Sequence, residues 1–125
     1  MIKKTVKNIK RETKTIDASG RTLGRVASEV AVFLMGKNKA TFERNIYSGF
    51  PVQVVNASKL TITQKKLSEI YHTRYSGMRG GLRILKGTET AEKGGLKELI
   101  RLATYQMLPG NKLRRVMMKN LKIED

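Results

Sequence analysis

The chain has 125 residues, with 26 Lys and Arg against 10 Asp and Glu, a formal net charge of +16. That length suits one domain with a modest hydrophobic core. The lack of cysteine excludes disulfides, thiolate zinc sites and thiol catalysis and fits a reducing cytosol. No apolar run reaches the roughly 20 residues that span a bilayer. A hydrophobic content of 39% implies that part of the chain orders only against a partner.

Residues 1–15 carry six cations and one anion. Ile2, Val6 and Ile9 fall at helical spacing among them. That pattern suits a retained basic arm over 1–13; a cleaved mitochondrial address shares it but is usually richer in Ser and Ala. Lys14 to Asp17 reads as a short strand entering a turn at Ala18-Ser19-Gly20. Leu23, Val26, Ala27, Val30 and Leu34 then lie on one face of a helix that Gly36 ends. Residues 37–49 have no period and read as a loop. Pro51 leads into a buried-type strand, Val52 to Val55, and a turn at Asn56-Ala57-Ser58.

Thr61-Ile62-Thr63 and Ile70 to Ser76 are further strand candidates. In the second, Tyr71, Thr73 and Tyr75 share one face and Ile70, His72 and Arg74 the other. Gly77 to Gly81 breaks the pattern, and Thr88 to Lys93 is an ambiguous stretch that suits a short helix. Leu96, Leu99, Ile100, Ala103 and Met107 form a clear helical stripe stopped by Pro109-Gly110. Asn111 can cap a last helix with Leu113, Val116, Met117 and Leu121 on one face and Lys112, Arg115, Lys119 and Lys122 on the other. Strand–helix–strand order favours a right-handed crossover and a mainly parallel sheet, hence one α/β domain over 14–125.

Three places can carry function. Ser19 to Arg25 lies where a strand feeds a helix N-terminus, a natural seat for an anion. It matches neither the P-loop nor the dinucleotide fingerprint. The simpler reading is a tight turn, with Gly20 for backbone freedom and Gly24 for close packing; the sharper one adds Arg21 and Arg25, four apart on one helix face, clamping phosphates. The second place, residues 71–86, carries four cations and no anion. Its three tip glycines allow close backbone approach, Arg74, Arg79 and Arg83 suit phosphate oxygens, and the Tyr75 ring can stack on a base. A flexible hairpin with solvated charges is the alternative. The third is the last helix, where five cations face two acids over 109–125. Its stripe at 112, 115, 119 and 122, joined by Arg114, either is a solvated face or meets a polyanion that offsets its self-repulsion.

Lys37, Lys39, Arg44, Lys65 and Lys66 complete the candidate RNA-binding set. The single histidine, His72, lacks the companions of a metal site. The acids show no acid/base pairing: Asp17 suits a turn or helix cap, and Glu29 can pair with Arg25 one turn back. The serines lack a G-x-S-x-G setting, so no catalytic residue, cofactor or metal is expected.

Ile16 to Ser28 and Gly36-Lys37-Asn38-Lys39 closely resemble the opening of the bacterial large-subunit ribosomal protein number thirteen family, L-thirteen. Three later blocks agree in order: Val55-Asn56-Ala57; Arg74 to Gly77 with Gly80-Gly81-Leu82; and Met107-Leu108-Pro109 with Leu113 and Arg115. The Lys119 to Ile123 ending fits too. The resemblance implies a three-layer α/β/α fold with a small, mainly parallel four-stranded sheet. It also implies a non-enzymatic, cytoplasmic ribosomal role in binding large-subunit rRNA and supporting assembly, beside ribosomal proteins numbered three and twenty, without homo-oligomer or membrane. Departures include Met78-Arg79 where Tyr-Pro is usual, and Gln64, Gln106 and Arg114 where glycines are usual. Thr13-Lys14-Thr15 replaces the aromatics usual before the first strand, and the usual His- and Pro-containing tail is missing after Asp125. They suggest a divergent or shortened member in which added cations replace lost packing. A free-standing nucleic-acid-binding or regulatory protein is the alternative from another class. It would need a groove-reading helix, and no helix-turn-helix pair or dimer symmetry is visible.

Overall fold

The computed structural model of the protein describes residues 12–125, so the expected basic arm lies almost wholly outside the described residues. Strand β1 (Lys14–Asp17) pairs in parallel with β2 (Val52–Val55), from Lys14 opposite Val52 to Asp17 opposite Val55. Between them runs helix α1 (Leu23–Met35), as the strand–helix–strand order requires. The far edge of β2 is taken by β5 (Leu121–Ile123), also parallel, with Val52 opposite Leu121.

The sheet is α/β and parallel as expected, but it has three strands, ordered β1-β2-β5, rather than four. Thr61–Thr63 supplies one parallel bridge, from Thr61 to Thr22, and no strand. The reason is local: the Thr63 hydroxyl accepts from the Lys66 backbone N–H at 3.3 Å and caps a short helix, α2 (Gln64–Glu69). Helix α2 buries no side chain, so it leaves no apolar period to find. The last helix, α4 (Leu113–Lys119), also stops earlier than its apolar spacing suggests. Leu121 is a strand residue, because an unpaired β2 edge competes for it and the Val52 N–H already donates to the Asn120 carbonyl at 2.9 Å.

One face of the sheet is dry. Ile16, Val52, Val54 and Leu121 are buried there, whereas Thr15 and Lys122 on the opposite face are exposed. Helix α1 lays a broad face of Val26, Ala27, Val30, Ala31 and Leu34 into this core. That face is wide enough to meet β1 and β2 and also helix α3 (Gly87–Met107). Gly36 ends α1 in the left-handed region at φ +77°, its N–H shared between the Val32 and Phe33 carbonyls, as its position after the apolar stripe predicts.

Helix α3 absorbs both sequence segments read separately above, 88–93 and 96–107. Gly95, at φ +72° and ψ −178°, breaks it between them. The second part buries Leu99, Ile100 and Thr104 completely. The Thr104 hydroxyl donates to the Ile100 carbonyl at 2.8 Å, so it enters the core with its hydrogen bond made. Strands β3 (Tyr71–Tyr75) and β4 (Leu82–Lys86) form a separate antiparallel hairpin packed on α3.

Asp17 closes the β1 exit: its carboxylate accepts from the Ser19 N–H at 2.9 Å and the Asn56 amide at 3.0 Å. Those two donors, the backbone one first, hold its pKa below the usual carboxylate value.

Replacing Ile100 by Asp removes about 2–3 kcal/mol of burial and leaves an unpaired carboxylate among apolar side chains. Urea denaturation of Ile100→Asp should show no cooperative transition, a loss above about 4 kcal/mol, while Ile100→Val should lose about 1 kcal/mol. Val26→Asp on α1 should behave like Ile100→Asp.

Candidate nucleic-acid interface

The hairpin sets the site. Strand alternation puts His72 and Arg74 on one face of β3, and the pairing places Leu85 and Arg83 directly opposite them on β4. His72 and Leu85 form the part that meets α3. His72 is buried, and the Gln106 amide lies 3.1 Å from its Nδ1. The Gln106 amide thus engages Nδ1, while Nε2 is buried without a protein partner. Burial also lowers the His72 pKa below its ordinary value near 6.5. Two residues further out, Arg74 and Arg83 face each other across the strands, both exposed. Like charges directly opposite are destabilising in a sheet, so the pair gains from a counter-charge.

Below that pair opens a groove of about 1140 Å³ between the hairpin, the second part of α3, and α4. Its cations are Arg74, Arg101, Lys112, Arg114, Arg115 and Lys119, and Glu98 is its one carboxylate. Helix α4 is held for this purpose at its start: Asn111 Oδ1 accepts from the Leu113 and Arg114 N–H groups at 3.1 and 3.2 Å, the capping role expected of it. Arg114 is further fixed with its guanidinium 3.9 Å from the centre of the Tyr105 ring. A guanidinium held in that way loses less freedom when it grips a phosphate.

The structure therefore brings Arg74, Lys112, Arg114, Arg115 and Lys119 together, with Arg83 beside them. Arg79 is exposed at the hairpin tip, where Gly77 and Gly80 turn the chain at φ +83° and +75°. The other candidates lie elsewhere. Tyr75 points to the opposite face of the hairpin, opposite Leu82. Lys37 and Arg44 line a smaller groove of about 390 Å³ with Met35, Phe42 and Met107. Lys65 and Lys66 are exposed on α2, and Lys122 leaves the α4 stripe for β5. Lys39 is engaged within its own loop, donating to the Ser48 carbonyl at 2.6 Å with its ammonium 3.8 Å from the Phe50 ring centre.

The turn at Gly20–Gly24 differs most from expectation. Arg21 precedes the helix, so it does not share a helix face with Arg25. Its guanidinium is paired at 2.5 Å with Glu29, the acid expected to serve Arg25, while Arg25 stays exposed. Gly24 is exposed too, and a side chain there would meet nothing within 4 Å, so close packing does not explain it. Sequence reading missed Arg101, Tyr105 and Gln106. The available signal was an arginine and a tyrosine four apart on the side of α3 away from its apolar stripe.

Among the described residues no group of acids and histidines is placed to hold a metal ion, and no helix is long and apolar enough to cross a membrane. Fold and groove together define a class, the small, strongly basic α/β proteins whose charge gathers along one concave face. The sequence profile of ribosomal protein L13 matches residues 11–123. The large ribosomal subunit protein uL13 of Pelobacter propionicus is 42% identical over 118 residues, 94% of this chain and 82% of the relative. The uL13 proteins of Natranaerobius thermophilus and Pseudothermotoga lettingae are 43% and 44% identical, over 92% and 86% of this chain and 80% and 73% of their own lengths. The chain belongs to the ribosomal protein L13 family.

The depressed pKa of His72 makes stability pH-dependent with a definite sign. A buried neutral imidazole contributes fully above the unfolded-state value near 6.5, and that contribution is lost as pH falls through the lower folded-state value. The melting temperature of the wild-type chain should therefore drop more between about pH 7 and about pH 5 than that of His72→Leu.

Proposed function

We propose that the chain is a structural, non-enzymatic constituent of the large ribosomal subunit in the cytoplasm. In this reading it binds large-subunit rRNA along the α3–α4 groove and the Arg74–Arg83 pair, and supports folding of that RNA during assembly. The observation that carries the reading is the groove itself: six cations converge from three elements with one acid among them. RNA helix junctions crowd phosphates together, and cations held on a rigid body offset that repulsion at a fixed place. Family membership supports the ribosomal setting. The basic arm over 1–13 adds charge to the same polyanion, and the family's neighbours, ribosomal proteins numbered three and twenty, are the protein partners proposed beside the RNA.

About eight phosphate contacts would give a slope near −7 in a plot of log affinity against log salt. Filter binding to large-subunit rRNA across a salt series measures it, and a flat response would sink the electrostatic mechanism. Arg79→Ala with Arg83→Ala should weaken binding and reduce the slope by about 2 with unchanged circular dichroism. Sedimentation separates this reading from a free-standing nucleic-acid-binding protein: a subunit constituent travels with large subunits and leaves them only at high salt.

A further inference from the structure

The hairpin has a second face, of which the groove touches only Thr73. It carries the cross-strand pairs Tyr71–Lys86, Thr73–Ile84 and Tyr75–Leu82. Tyr71, Tyr75, Leu82 and Ile84 are 60–66% exposed, and Met78 at the tip is 75% exposed. The other large hydrophobics exposed among the described residues, Val32, Ile46, Tyr105, Met107 and Val116, reach only 37–43% and are scattered over other elements. Single exposed hydrophobics are ordinary; four on one face of a two-stranded hairpin, with Met78 at its tip, mark a contact surface.

Three occupants can be compared. RNA fits poorly, because both strand arginines turn to the inner face and the outer one keeps a single cation, Lys86. Tyr71 and Tyr75 offer rings to a nucleobase, but Leu82 and Ile84 beside them offer no planar partner, and no arginine on this face holds a phosphate. A second copy fits worse: it would bring two chains of formal charge +16 together. A protein surface fits. Tyr and Met are enriched and charges depleted at the centre of protein interfaces, which is the composition here. Five side chains fall short of the roughly 800 Å² per partner of a free-standing complex, so the contact forms between molecules already fixed on a common scaffold.

We infer that this outer face is a protein-docking surface, covered by an aliphatic ridge of a neighbouring large-subunit protein with an acidic side chain set against Lys86. The hairpin is then clamped from both sides, by phosphates on the arginine face and by protein on the tyrosine face. The inference rests on the ribosomal reading above.

The test uses the full chain assembled into large subunits in cells, with Ile84 replaced by the photoreactive residue p-benzoylphenylalanine. Sedimentation before irradiation comes first: if the chain is absent from purified subunits, the ribosomal reading fails and the docking inference falls with it. If it is present, crosslinking of position 84 to one subunit protein is the expected result. Crosslinking to rRNA, or to nothing, would overturn the inference and leave the ribosomal reading intact. A second variant, Leu82→Ser with Ile84→Ser, should bind protein-free rRNA within about twofold of wild type. Its retention in salt-washed subunits should fall about tenfold, from the loss of two apolar anchors. An equal fall in both assays would assign the face to RNA, and retention at the wild-type level would leave it uncovered; either overturns the inference.

Discussion

The packing of α3 on α1 is the contact from which every cationic element hangs. Helix α3 has few apolar residues to spare, and among them Ile100 joins the core that α1 also enters. Through Gln106 it positions His72 and hence the hairpin. Through Tyr105 it positions Arg114 and hence the face of α4. The charges are thus displayed by a rigid rod whose opposite side is the core, and their spacing is set by packing rather than by loops.

Electrostatics works against that arrangement when the chain is alone. Arg74 and Arg83 stand opposed, and the α4 cations share a groove with a single carboxylate. The four ion pairs found among the described residues do little to relieve it. Arg21–Glu29 lies on the α1 side, Lys14–Glu12 at the start of β1, and Lys97–Asp125 ties α3 to the chain's last residue. Only Arg101–Glu98, at 3.8 Å, lies in the groove, and exposed pairs of that kind contribute little. Self-repulsion of this sort lowers the stability of the free body, and under the proposed rRNA-binding role the same cause would raise its affinity for the polyanion. Stability and binding are therefore coupled in this fold, and removing groove cations should make the free protein sturdier while it binds less.

The parts legible in the sequence were those with a strong period or a hard stop. The apolar spacing of α1, its end at Gly36, the β2 valines and the Leu96–Met107 stripe all gave the right element, because burial on one face forces periodicity. Helix α2 was invisible because it buries nothing. The α4–β5 boundary was misplaced because Leu121 satisfies a helical spacing and a strand edge equally well, and only the open edge of β2 decides between them. At the candidate site, composition pointed to the hairpin and the last helix, and the structure brings cations of both to one groove. Composition could not tell which arginines were already committed: Arg21 looked like Arg25 until Glu29 chose between them. The strand's alternation did separate Tyr75 from Arg74, as the pairing shows; what it could not give was the register that sets Arg83 opposite Arg74.

Strand β5 comes from the end of the described chain yet pairs with β2 near its middle. On a nascent polypeptide the valine-rich β2 has one side open until all four helices have been made. A hydrophobic edge left waiting that long is a template for wrong pairing, and closing it late makes the sheet a non-local, slow step. The hairpin, whose strand pairing is local, can already be in shape by then. Maturation thus runs backwards from the usual intuition: the outlying hairpin is ready first, and the centre of the sheet locks only once β5 has been made.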